Sequence, residues 1–114
     1  MFRATILIDN NAHGECKAEW GFSVYIAYCG KNYLLDMGSS ALFSVNAEQL
    51  GIDLSQVDAA VLSHAHCDHA GGSRTFFEKN CRAKLYMNAN SGEDCFCKFG
   101  PFHKYVGIPR GVLA

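Results

Sequence analysis

Ser63-His64-Ala65-His66-Cys67-Asp68-His69-Ala70-Gly71-Gly72, directly after the apolar run Ala59-Ala60-Val61-Leu62, is the stretch that decides how this chain folds. The apolar run is short, lacks polar alternation and follows a helical pattern, as a buried central strand of a layered α/β protein does. A dense run of titratable groups begins where that strand ends. Open α/β sheets bind ligands at the carboxyl ends of their strands, so position as well as residue type predicts a site here. His64 and His66 are separated by one residue in an extended stretch. Period-two alternation puts both imidazoles on one side of the backbone, where they can share a metal ion. Asp68 and His69 follow on a turn and can aim at a neighbouring point, where they would hold a second ion. Neutral imidazole and carboxylate suit zinc, and the same donors accept iron or manganese. Two such ions about 3.5 to 4 Å apart can bridge a hydroxide and make it a nucleophile at neutral pH. The Asp68 carboxylate can orient that hydroxide or take its proton, which makes Asp68 the candidate catalytic residue. Gly71 and Gly72 are expected to let the loop bend closely around the ions. The alternative is a solvated histidine-rich loop that binds metal only adventitiously; its place at a strand end weighs against that.

Working outward, residues 3–8 and 22–28 are rich in β-branched and aromatic side chains and predict strands, with a turn-like Asn-Asn-Ala-His-Gly stretch between them. Gly30-Lys31-Asn32 makes a tight connection into Tyr33–Met37, a hairpin whose second strand ends at Gly38. From Ser39 to Leu50, Leu42, Val45, Ala47 and Leu50 recur at helical spacing, with Ser39 or Ser40 as N-cap and Gly51 as the stop. Beyond the histidines, Ser73–Asn80 predicts a short helix, Ala83–Met87 a strand, and 88–100 a loop or weak helix.

Composition sets the class. The chain has 114 residues, 49% hydrophobic and 18% charged, which is ordinary for one globular domain. A formal net charge of -1 gives no field for steering toward phosphate backbones or anionic lipid. A small-molecule substrate is the expected partner, with neither nucleic acid nor membrane indicated. No window approaches the roughly 18 to 20 apolar residues that span a bilayer, and the first residues read as a strand and not as a signal peptide. A cytoplasmic location is therefore expected. The six cysteines, at 16, 29, 67, 81, 95 and 97, are expected to be reduced thiols, the other reading being a secreted disulfide framework. Cys29 reads as a small buried apolar residue, and Cys95 and Cys97 stand too close for a routine zinc knuckle.

The stretch 63–72 matches the H-x-H-x-D-H signature of the metallo-β-lactamase superfamily, including the glycine pair that commonly follows, and the chain resembles that superfamily. Leu34-Leu35-Asp36-Met37-Gly38 resembles its strand ending in Asp-Thr-Gly, with Met37 in place of the threonine, and Gly51–Asp58 resembles the usual lead into the metal-bearing strand. Within the superfamily the chain is most similar to the branch that includes dihydropterin-ribofuranosylaminobenzene phosphate synthase-like proteins. The likeness is close over residues 3–87 and looser in the tail, including Lys104–Pro109. It implies that His64 and His66 bind the first zinc and Asp68 and His69 the second, with Asp36 a buried carboxylate that either backs the ligands or serves the structure. On its own residues, Asp36 reads equally well as a strand-end cap for the next turn. The implied fold is an αββα sandwich of two αβ halves. This chain would be the amino-terminal half, one domain over residues 1–114 that is truncated at its carboxyl end. The later histidine, bridging aspartate and last histidine of the family have no counterpart in these residues. His103 is the only downstream histidine and reads as a solvated or neighbour-paired loop residue, the alternative being a metal ligand; His13 reads as a turn residue able to line a pocket mouth. A half sandwich leaves an apolar sheet face open, so self-association or a complementary carboxyl-terminal half is expected. The implied function is a zinc-dependent hydrolase acting on an ester, phosphoester, thioester or amide, or the metal-binding half of one. The alternative is a noncatalytic metal-binding remnant that needs a partner chain to fold.

Overall fold

A hairpin organises the sheet. β2 (Ser23–Tyr28) and β3 (Lys31–Leu35) pair antiparallel from Tyr28↔Lys31 to Val24↔Leu35. The two residues between them, Cys29 and Gly30, have φ of 49° and 76°, the left-handed pair that a tight hairpin turn requires. Cys29 is consequently exposed on the turn, which corrects the expectation that it is a buried apolar residue. The computed structural model describes residues 1–12, 14–64 and 66–87, together with the backbone of two further strands, Phe96–Phe99 and Phe102–Tyr105.

β1 (Phe2–Ile8) adds antiparallel to β2, while β4 (Ala59–Val61) and β5 (Lys84–Tyr86) add in parallel beyond β3, giving a five-stranded sheet in the order β1-β2-β3-β4-β5. The predicted strand at the histidine stretch is thus a central, parallel one, and the chain is the mixed α/β half fold expected. The Ser39–Leu50 helix is shorter than expected: α1 spans Leu42–Gln49. Ala41 is its N-cap, with no side-chain cap bond, and Ser40 instead accepts from the Leu42 amide at 3.2 Å. Its inward face also differs, since Phe43, Ser44, Asn46 and Ala47 are buried while Val45 and Leu50 are 52% and 47% exposed. Asn46 explains the rotation. Its amide donates to the carbonyls of Leu7 and Lys17, both at 2.8 Å, and its oxygen accepts from the Lys17 amide. A polar side chain is thereby drawn inward to satisfy backbone that crosses the helix. Gly51 ends the helix as expected, with φ 74° and its amide on the Glu48 carbonyl, while Ile52 reaches back to Ala47.

α2 (Cys67–Ala70) and α3 (Ser73–Lys79) follow β4, and a single 3-10 turn, Leu54–Gln56, precedes it. Leu7, Leu34 and Ala60 meet Phe43, Ala47 and Phe76 in one buried cluster. The opposite sheet face has no such cover among the described residues. Phe2, Ile6, Val61 and Tyr86 lie exposed along it, with Val24, Leu35, Val61 and Tyr86 in register across four strands. β6 (Phe96–Phe99) and β7 (Phe102–Tyr105) pair antiparallel, which replaces the loop or weak helix expected at 96–99. No helix among the described residues is long and apolar enough to cross a membrane.

Candidate metal centre

The centre is built where β3 and β4 end side by side. β3 stops because Asp36 turns out of it at φ 57°, a left-handed conformation that aspartate tolerates better than most residues. That turn sends the carboxylate inward, where it is 1% exposed, and the Asp36 amide still bonds the Val61 carbonyl of the neighbouring strand at 2.9 Å. Three donors converge on the buried carboxylate. The Ser63 amide meets Oδ1 at 2.7 Å, the Ser63 hydroxyl meets Oδ2 at 2.5 Å, and His69 Nδ1 meets Oδ2 at 2.7 Å. Asp36 is therefore a positioning carboxylate for the histidine loop, as the resemblance implies, and does more than cap its own turn.

The consequence for His69 is a fixed tautomer. A carboxylate accepts only, so Nδ1 carries the proton and Nε2 is left bare, the form in which imidazole binds a metal. His64 is held at one remove. Its Nδ1 lies 2.9 Å from the Ser63 hydroxyl, whose own proton goes to Asp36, so that Nδ1 donates to Ser63 and Nε2 is again free. One buried carboxylate thus orients two imidazoles. Sequence reasoning assigned Ser63 no part in this, because a serine beside a histidine carries no signal until the partner strand is placed.

One ligand atom each from His64, Asp68 and His69 lies within 4.8 Å of the others, and His69 Nε2 is 3.6 Å from Asp68 Oδ2. Two imidazoles and a carboxylate at that spacing fit a divalent ion of the zinc class. The group draws on both of the expected pairs, His64 with His66 and Asp68 with His69. His66 is exposed and joins the group by its ring, centred 4.9 Å from that of His64, which in turn lies 4.1 Å from the His69 ring. His13, Ala65 and the side chain of His103 lie outside the described residues.

The loop is pinned by its backbone as well. The Met37 amide donates to the His69 carbonyl at 2.7 Å, and the Phe22 amide to that of Asp68 at 3.2 Å. Gly71 and Gly72 sit against the turn after β3. A Cβ at Gly71 would run into the Ser39 carbonyl, and one at Gly72 into the Met37 carbonyl and the Phe43 ring. The glycine pair therefore lets the histidine loop dock on the Met37–Ser39 backbone.

Comparison with known proteins agrees with this geometry. The family model described as the metallo-beta-lactamase superfamily matches residues 21–89. An uncharacterized protein of Methanocaldococcus jannaschii is 29% identical over 107 residues, covering 94% of this chain and 41% of its own length. Among solved structures, Tm1679, described as a metal-dependent hydrolase of the beta-lactamase superfamily, superposes with a TM-score of 0.78 at 28% identity, over 99% of this chain and 39% of that one. A Cronobacter sakazakii metallo-beta-lactamase gives a TM-score of 0.53 at 26% identity, over 61% of this chain and 26% of its own. The chain thus spans about two fifths of the length of the relatives that it matches end to end.

Proposed function

This chain belongs to the metallo-beta-lactamase superfamily, whose family model covers more than half of it, and on that premise we propose that it is the metal-binding, amino-terminal half of a zinc-dependent hydrolase. The observation that carries the reading is the convergence of His64, Asp68 and His69 within 4.8 Å over a buried carboxylate that fixes the histidine tautomers. His66 completes the proposed donor set. A divalent ion bound there supplies Lewis acidity and lowers the pKa of water, which suits hydrolysis of an ester, phosphoester, thioester or amide. Asp36 and Ser63 hold the imidazoles. Asp68, a quarter exposed, presents its carboxylate at the open side of the centre, where it can hold a proton released during attack.

The open sheet face supports a further part of the proposal. Phe2, Ile6, Val61 and Tyr86 offer exposed apolar area on one sheet face that a complementary carboxyl-terminal half or a second copy would bury, at about 25 cal/mol per Å². The same face favours the second reading, a noncatalytic metal-binding remnant that folds only with a partner. One set of measurements separates them. The purified chain is assayed for zinc by elemental analysis, for mass by light scattering, and for turnover of bis(p-nitrophenyl) phosphate and p-nitrophenyl acetate. The hydrolase reading expects zinc that disappears when His64 and His66 are both replaced by alanine, and turnover that falls in Asp68→Asn while circular dichroism is unchanged. Zinc binding without turnover in any assembly leaves the remnant; zinc content unchanged in the double variant removes both.

A further inference from the structure

An open crevice of about 290 Å³ lies beside the candidate metal centre, with Asp9, Asn10, Trp20, Phe22, Asp68 and His69 among its lining residues. Trp20 is the only tryptophan in the sequence and is 73% exposed, although the backbone around it is clamped. Its carbonyl accepts from the Ser39 hydroxyl, the Gly21 amide donates to Asn10 Oδ1 at 3.1 Å, and the Phe22 amide bonds the Asp68 carbonyl. Gly21 lies so close to that carbonyl that no side chain fits. The backbone that carries Trp20 is therefore tied to the metal loop while the indole is left largely in water. An exposed indole stacks on planar groups and attracts cations over its face, more strongly than any other side chain.

Charge narrows the occupant. The crevice is lined by the carboxylates of Asp9 and Asp68, with no lysine or arginine among its lining residues. Asp9 gives one oxygen to the Asn10 amide at 2.5 Å, and its carboxylate lies outside the converging donor group of His64, Asp68 and His69. We infer that Trp20 and Asp9 form a subsite for a flat, cationic or N–H-rich ring of the substrate, stacked on the indole with its donor edge toward Asp9. An anionic ring is disfavoured there by Asp9, the lining carboxylate outside the donor group. The volume suits one ring and a short linker leading to the scissile group at His69 and Asp68. The inference leans on the hydrolase proposal only in calling the ring part of a substrate.

Benzamidine, a planar cation, is titrated into the full chain against benzoate, a planar anion of the same size, with Trp20 emission as the readout. The subsite expects a saturable response to benzamidine, at least tenfold weaker binding of benzoate, and a fivefold or greater loss of benzamidine affinity in Asp9→Asn with unchanged circular dichroism. A linear response, equal affinities for the two probes, or an Asp9→Asn variant that binds as the parent does would overturn it. Zinc content measured on the same samples keeps the two ideas apart. Selective benzamidine binding by a chain that takes up no zinc upholds the subsite and sinks the hydrolase. Zinc uptake without selectivity sinks the subsite and leaves the metal centre standing.

Discussion

His66 and His69 stand one short turn apart on the same loop, yet the protein treats them differently. His69 is fixed by a buried carboxylate at 2.7 Å, and its own carbonyl is tied to the Met37 amide. His66 stands exposed against the His64 ring, and its side chain makes no bond to the α2 amides that it precedes. One imidazole is therefore placed by the fold, and the other is left for a bound ion to place. A preformed donor avoids the ordering cost of binding, whereas a free one meets that cost when the metal arrives. The difference traces to strand geometry. Asp36 leaves β3 beside the end of β4, where its carboxylate bonds residues 63 and 69.

Asp36→Asn is the strongest way to break this contrast. The amide puts a donor where three donors already converge, so His69 loses its fixed tautomer and comes to resemble His66. We expect zinc affinity to fall 10–100-fold by chelator competition, with about 1–3 kcal/mol lost in metal-free urea unfolding. Retention of parental affinity would show that the carboxylate serves only the fold. Ser63→Ala removes the link to His64 while leaving the His69 bond intact. A several-fold loss of zinc affinity and about 1 kcal/mol of stability are expected, and an effect as large as that of Asp36→Asn would mean that the serine is the principal prop. His66→Ala should be the mildest without metal, within about 0.5 kcal/mol of the parent urea stability. A larger loss would place His66 in the packed structure and erase the contrast.

The histidine stretch was legible because both its signals are local: donor spacing and an apolar run too short for a helix. The parallel placement of β4 and the stop at Gly51 followed from the same kind of pattern. What the sequence hid depends on contacts far apart in the chain. The inward face of α1 was misread because Asn46 is buried by bonds to Leu7 and Lys17, and no periodicity encodes a polar residue turned in to serve another segment. Cys29 was misread because hydrophobicity says nothing about the left-handed turn it occupies. The role of Gly71 and Gly72 needed the Met37–Ser39 backbone in place. Ser63, Trp20 and Asp9 carry no spacing signal, and their parts emerge only when β1, β3 and β4 end together.

The parallel joint between β3 and β4 also sets the order in which the protein can assemble. The β2–β3 hairpin closes through two residues, an event of microseconds. Pairing β3 with β4 must first close the long segment that holds α1, at a greater entropic cost. Asp36 lies on one side of that joint, and Ser63, His64 and His69 lie on the other. The donor cluster is consequently a late product of folding, and zinc uptake during refolding would act as a clock for the moment the two strands meet.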